Sequence, residues 1–255
     1  MKSKVILLTG GSGLIGMNLI SHYLNMGCKI ITTVSKKKSE MSLKKKYENY
    51  IDDSLVVIKQ DFREKNFEKK IFRKIKYLKI VPNVIINNAR NLANLKLSSD
   101  GVIKEESWLL EFHLAVIAPY KLIKEFLRIN KNPKFGRVIS MGSIYGTVAI
   151  NKNLQKFNKD PVPMHYSVSK ASLIHMTKEF AAMYGNSNIT FNTISFGGVR
   201  GRESKQFRRK YSELTPSSRM VELDEILGAV DFLISSSSSG VNGHNLMVDG
   251  GWTIW

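Results

Sequence analysis

The chain has 255 residues, 43% hydrophobic and 24% charged, enough apolar residues for one substantial core and too many for a disordered or fibrous protein. Its formal charge of +18 comes from lysines and arginines scattered along the whole length, with no helix-turn-helix, zinc-finger or RNA-reading motif, so no nucleic-acid partner is expected. No apolar run approaches the roughly 20 residues of a membrane span, residues 1–8 run into a glycine turn instead of a cleavage site, and Cys28 is a lone cysteine. The expectation is a cytoplasmic protein with no membrane partner, no internal disulfide and no metal.

Short apolar runs alternate with amphipathic segments. KVILLTG at residues 4–10 predicts a strand, Leu14–Asn25 a helix and CKIITTV at 28–34 a second strand, which together make a βαβ unit. Between the first strand and the helix stands TGGSGLIG, residues 9–16. Gly10, Gly13 and Gly16 permit a tight turn and a close approach of backbone to a pyrophosphate, whose charge meets the positive end of the helix. With Ser12, Leu14 and Ile15 they form the candidate cofactor cradle. After the second strand, where an acid that grips both ribose hydroxyls of NAD is expected, stand Ser35 and Lys36, then Lys37 and Lys38. A carboxylate there would repel a ribose phosphate, whereas serine and lysine bind one, so NADP(H) is favoured over NAD(H). An exposed basic helix start is the plainer alternative.

Segments 36–50 and 64–79 read as lysine-rich outer helices, the latter with Phe67, Ile71, Ile75 and Leu78 at three- and four-residue spacing. Further strands are expected at 54–59, 83–87, Gly136–Met141, 188–195 and 244–248, and long helices around 108–128 and Met164–Tyr184. The serine run at 235–239 follows the helix face of Ile226, Val230 and Leu233 and reads as a loop. The alternation predicts an α/β chain with a single-domain Rossmann fold, a doubly wound parallel sheet of about seven strands flanked by helices.

Strand ends carry the remaining motifs: NNAR at 87–90, SMGSIYG at 140–146, HYSVSKA at 165–171 and NGHNLMVDGG at 242–251. At spacing i, i+4, Tyr166 and Lys170 share one helix face. A nearby ammonium stabilises tyrosinate, lowering the phenol from about 10 towards the working pH. Tyr166 then gives a proton to a carbonyl oxygen or takes one from an alcohol.

In this order, and over almost the whole chain, the motifs resemble those of the short-chain dehydrogenase/reductase family. The resemblance implies an NAD(P)-dependent enzyme acting on a small-molecule substrate, assembled as a homotetramer or homodimer through the long helices. Ser143 would hydrogen-bond the reacting oxygen, and Lys170 would also hold the nicotinamide ribose. Asp61 with Phe62, and Asn88 with Ala89, would lie along the adenosine; Gly197 and Val199 would border the carboxamide.

Departures from the family pattern are instructive. His113 in EFHLAV stands where the family has an asparagine whose backbone kink supports a relay water; it is a candidate catalytic group or a packed helix histidine. Arg90 replaces the glycine of NNAG, and Phe196 with Gly197 replaces a proline-glycine pair. Residues 146–163 make an insertion between Ser143 and Tyr166 that would sit at the site entrance. Residues 198–220 fall where the family carries its substrate lid, with Arg200, Arg202, Arg208 and Arg209 as candidates for an anionic substrate or as a solvated helix face. The insertion and the ending resemble the branch of bacterial surface-sugar and flagellin-modification oxidoreductases. The expected reaction is carbonyl–hydroxyl interconversion on a sugar-derived or nucleotide-sugar metabolite. A 3-oxoacyl-(acyl-carrier-protein) reductase and a catalytically impaired cofactor-binding regulator are the alternatives.

Overall fold

Strand β1 (Val5–Thr9) buries every side chain after Val5, because a parallel strand covered on both faces has no solvent side. The computed structural model describes residues 4–95, 102–131, 133–156, 162–201 and 203–254. After β1 come α1 (Leu14–Asn25), β2 (Lys29–Val34), α2 (Lys37–Lys46), β3 (Leu55–Lys59), α3 (Phe67–Tyr77), β4 (Val84–Asn87), α4 (Glu105–Phe112), α5 (Ala118–Ile129) and β5 (Gly136–Met141). Then follow α6 (Lys152–Gln155), α7 (Met164–Tyr184), β6 (Ile189–Phe196), α8 (Lys205–Leu214), α9 (Leu223–Ile234) and β7 (Asn245–Val248). The strands form one parallel sheet in the order β3-β2-β1-β4-β5-β6-β7, the expected doubly wound arrangement. Its order reverses between β1 and β4, which opens a crevice at the carboxyl ends of the strands.

Alternation along each strand divides the core in two. Ile6, Leu8 and Ile30 face one layer, against Leu19 and Ile20 of α1, Leu43 of α2 and Val230 and Leu233 of α9. Leu7, Ile31 and Ile85 face the other, against Phe67 and Ile71 of α3, Leu122 and Phe126 of α5 and Phe180 of α7. Polar ties fix the outer layer. The Tyr23 hydroxyl donates to Asp231 at 2.8 Å and His22 meets the other oxygen of that carboxylate, joining α1 to α9. Buried Arg137 donates to the carbonyl of Ser235, the residue that ends α9, so the cation sits at the negative end of that helix and anchors the serine loop.

Three helices differ from the sequence expectation. The segment expected at 36–50 is helical only to Lys46, and Tyr47 leaves the helical conformation before a short 3-10 turn, Glu48–Tyr50. α3 starts at Phe67 and not at residue 64: Asn66 takes a left-handed conformation (φ 56°), and Arg63 and Glu64 belong to a turn closed by Asp61. The helix expected around 108–128 is interrupted by a π-helical turn, His113–Ile117, between α4 and α5. Arg202 and residues 157–161 of the insertion lie outside the described residues.

Candidate active site

The end of β1 is stitched to the end of β4. Thr9 Oγ1 accepts hydrogen bonds from the backbone N–H groups of Asn88 and Ala89, both at 2.9 Å, and the Asn88 amide donates to the carbonyls of Thr9 and Gly10. Asn88 and Ala89 therefore act on the glycine turn directly, holding the loop that the sequence assigns to the cofactor. Gly10 needs to be glycine: its φ is +72°, and a Cβ would fall 2.8 Å from the Ala89 Cα. α1 starts at Leu14 with Gly13 as its cap, no side-chain capping bond and no acid in its first turn. Its first N–H groups and the positive end of its dipole are free to meet an anion, and Ser12 and Ile15 flank them. Ser35 and Lys36 are exposed just past β2. These features fit the pyrophosphate of a dinucleotide.

Asp61 and Phe62 follow β3 as expected. The Arg63 guanidinium holds the Asp61 carboxyl below its usual range, so the carboxylate is shared with its own turn. Phe62 is buried in a stack on Phe67, 4.7 Å between ring centres. Beyond β6, Gly197 is buried beneath Tyr211, whose hydroxyl accepts from the Gly198 N–H at 2.7 Å. Val199 bridges Val221 through the neighbouring peptides of Gly198 and Arg200, which leaves its own N–H and carbonyl outside that ladder.

The reacting groups come from β5 and α7. Ser143 leaves β5 in an extended conformation (φ −164°) and caps a short 3-10 turn, Ile144–Gly146, by accepting from the Tyr145 N–H. Tyr166 lies in the first turn of α7 and Lys170 one turn on, both buried, and the Lys170 ammonium donates to the carbonyl of Met141 at the end of β5. Lys170 Nζ is 5.7 Å from the Tyr166 ring centre, and Ser143 reaches the phenol. Burial pushes the phenol up, but Arg90, Lys170 and the Ser143 hydroxyl together outweigh it, and Tyr166 ends below its usual value. Burial lowers Lys170 as well. Tyr145, the other tyrosine of this corner, is pushed up to about 12 by burial despite its bond to Gln155, so it stays a neutral phenol where Tyr166 can ionise.

His113 does not join the pair through its ring. Nε2 lies 2.8 Å from the carbonyl of Phe62, which has only lone pairs to offer, so that nitrogen carries its proton and spends it there. The ring edge meets Phe67. The backbone kink is nevertheless present, as the π turn that starts at His113. Behind it Lys170, Thr9, Leu114 and Ala89 line a small recess with Asn87, whose Oδ1 is buried without a partner. His113 thus anchors the turn that shapes the recess.

An apolar cover closes over Tyr166: Tyr145, Leu154 of α6, Phe207 and Tyr211 of α8, Met220 and Trp252 form one cluster with it. Tyr211 stacks on Trp252 at 4.5 Å, and Gln155 of α6 ties the insertion to the Tyr145 hydroxyl. Three of the arginines that the sequence offers to an anion are engaged here. Arg200 pairs with Glu222 at 3.0 Å, Arg208 with Glu203 at 2.6 Å and Arg209 with Glu213 at 3.5 Å. Three groups near Tyr166 escape sequence reasoning. Arg90 lies over its ring; Glu111 of α4 is buried beside Asn94; His165 is buried with Nε2 on the Asn94 carbonyl and Nδ1 unpartnered. Only Arg90 left a trace in the sequence, as the break in the NNAG motif.

Among the described residues no helix is long and apolar enough to cross a membrane, and no group of side chains has the makings of a metal site. A family model described as enoyl-(acyl carrier protein) reductase matches residues 13–253. The post-translational flagellin modification protein A of Campylobacter coli is 26% identical over the full length of both chains. The 3-oxoacyl-(acyl-carrier-protein) reductase of Vibrio cholerae is 25% identical over 98% of each. A short chain dehydrogenase of Leptospira borgpetersenii, solved with bound NAD+, superposes with a TM-score of 0.86 at 28% identity, covering 99% of this chain and 94% of that one.

Proposed function

The chain belongs to the short-chain dehydrogenase/reductase family, and from that premise we propose that it interconverts a carbonyl and a hydroxyl on a sugar-derived metabolite, with Tyr166 as the proton-transferring group. It is an NAD(P)-dependent dehydrogenase/reductase. The nicotinamide cofactor supplies or takes the hydride when bound. The protein's part is the proton: in reduction Tyr166 gives it to the carbonyl oxygen that Ser143 steadies, and in oxidation the tyrosinate takes it from the alcohol. Lys170 Nζ, held by the Met141 carbonyl, is fixed beside that phenol. The aromatic cover of Tyr145, Phe207, Tyr211 and Trp252 keeps water from the exchange.

The observation that carries the reading is the buried Tyr166–Lys170 pair with Ser143, standing where β5 ends at the crevice. The sugar assignment is supported by the end-to-end likeness to a flagellin modification protein and by the insertion that α6 seats against Tyr145. Likeness to a 3-oxoacyl-(acyl-carrier-protein) reductase supports acyl-thioester reduction as the second reading. Following cofactor absorbance over keto sugars, nucleotide sugars and 3-oxoacyl thioesters separates the two. Turnover confined to thioesters would overturn the sugar assignment, and tight cofactor binding with no turnover anywhere would favour the regulator. Exposed Leu109, Phe112, Tyr120, Met164 and Val168 on α4, α5 and α7 support assembly through those helices, as a homodimer or homotetramer.

The exposed Ser35 and Lys36 support NADP(H) over NAD(H). The Michaelis constant for NADPH is expected to be the lower, and Lys36→Glu is expected to raise it on the order of tenfold with little change for NADH. A wild-type preference for NADH would sink the assignment.

A further inference from the structure

Arg90 follows β4 and is exposed at the mouth of the crevice. Its guanidinium carbon lies 4.5 Å from the centre of the Tyr166 ring, nearer than the Lys170 ammonium at 5.7 Å. The two cations differ in what else they touch. Lys170 is buried and donates to a backbone carbonyl, so desolvation works against its charge. Arg90 has no carboxylate within ion-pair distance among the described residues, whereas Arg200, Arg208 and Arg209 each have one. A guanidinium keeps its proton at any working pH and, at the solvent edge, keeps part of its hydration while presenting its flat face to a ring. The remaining groups around Tyr166 do not supply this charge. Glu111 opposes a negative phenol from α4, Tyr145 stays neutral, Ser143 offers a hydroxyl, and His165, the preceding residue of α7, spends its Nε2 proton on Asn94.

We propose that Arg90 is a positioning residue for proton transfer, a second cation that holds the tyrosinate form of Tyr166 from the face of its ring. The proposal rests on Tyr166 being the proton-transferring group. It gives the departure from NNAG a function: the arginine adds positive charge where a glycine adds none, and offsets the buried carboxylate of Glu111. Its effect falls on the ionisation of Tyr166 whatever the substrate.

The test is an ultraviolet titration of tyrosinate in the whole chain without substrate, comparing wild type, Tyr166→Phe, Arg90→Gln and Arg90→Lys, with circular dichroism to confirm the fold. The lowest-pH tyrosine transition is expected to vanish in Tyr166→Phe. In Arg90→Gln its midpoint is expected to rise by about one pH unit, and in Arg90→Lys to return most of the way to wild type. An unchanged midpoint in Arg90→Gln overturns the proposal, even if turnover falls, since the arginine would then serve an anionic substrate or nothing. If Tyr166→Phe removes no low-pH transition, the reading of Tyr166 itself fails, a distinct outcome that takes the proposal with it.

Discussion

Tyr166→Phe is expected to lower turnover by about 10²–10⁴-fold, with a far smaller loss of cofactor affinity. Phenylalanine fills the same buried space among Tyr145, Phe207 and Met220, so the fold keeps its packing and only the exchangeable proton is lost. Tyr145 cannot take over, because burial holds it at about 12 as a neutral phenol. Stopped-flow measurement of cofactor oxidation, with cofactor binding followed by fluorescence, separates the two effects. Turnover within a few-fold of wild type in Tyr166→Phe would remove the tyrosine from the chemistry.

Gly16→Ala is expected to damage both stability and cofactor binding, whereas Gly13→Ala damages binding alone. A Cβ at Gly16 would fall 2.4 Å from the Gly10 carbonyl oxygen and 2.9 Å from the Gly11 Cα, both backbone, so the turn must open. Overpacking of this kind costs about 1–3 kcal/mol, about one to two orders of magnitude in cofactor affinity if it is felt in the bound state. A Cβ at Gly13 meets only the Gly10 oxygen, at 3.5 Å, an ordinary contact. Any affinity lost there reflects crowding of the ligand at the start of α1. Thermal unfolding beside calorimetric cofactor titration gives the comparison; equal behaviour of the two variants would contradict this account of the loop.

Most of the scaffold was legible because it follows from periodicity. Uninterrupted apolar runs mark strands buried on both faces, and α1 has the bounds its amphipathic pattern predicts. The π turn did not show in the periodicity, since five residues are too few for its wider spacing to stand out between α-helical flanks; only the family pattern at His113 pointed to a kink there. The start of α3 was misplaced because Asp61 captures Arg63 and the next residues into a turn, a side-chain bond that helix propensity does not count.

In the site, the chemistry was legible and the electrostatics only partly so. Tyr166 and Lys170 share a helix face by their spacing, but it is their company with the glycine turn, NNA, the serine at the end of β5 and VDGG that singles them out. The role of His113 depended on where its ring points, and Phe62 takes that ring. The lid arginines illustrate an overlooked signal: Arg209 and Glu213 stand at i, i+4 in the sequence itself, and Glu203 is close enough in the chain to meet Arg208. Conversely, Arg90 was visible as an anomaly, yet its place over Tyr166 depends on β4 and α7 meeting at the crevice.

The most direct test is the pH profile of alcohol oxidation in wild type and Tyr166→Phe, using the substrate that the panel identifies. Because the active form is the tyrosinate and its ionisation is depressed, the wild-type rate is expected to rise with pH and level off below the usual tyrosine range near about 10, and reduction to fall through the same ionisation. The residual rate of Tyr166→Phe is expected to lack that ionisation. The same rising limb in Tyr166→Phe would contradict the claim that Tyr166 moves the proton.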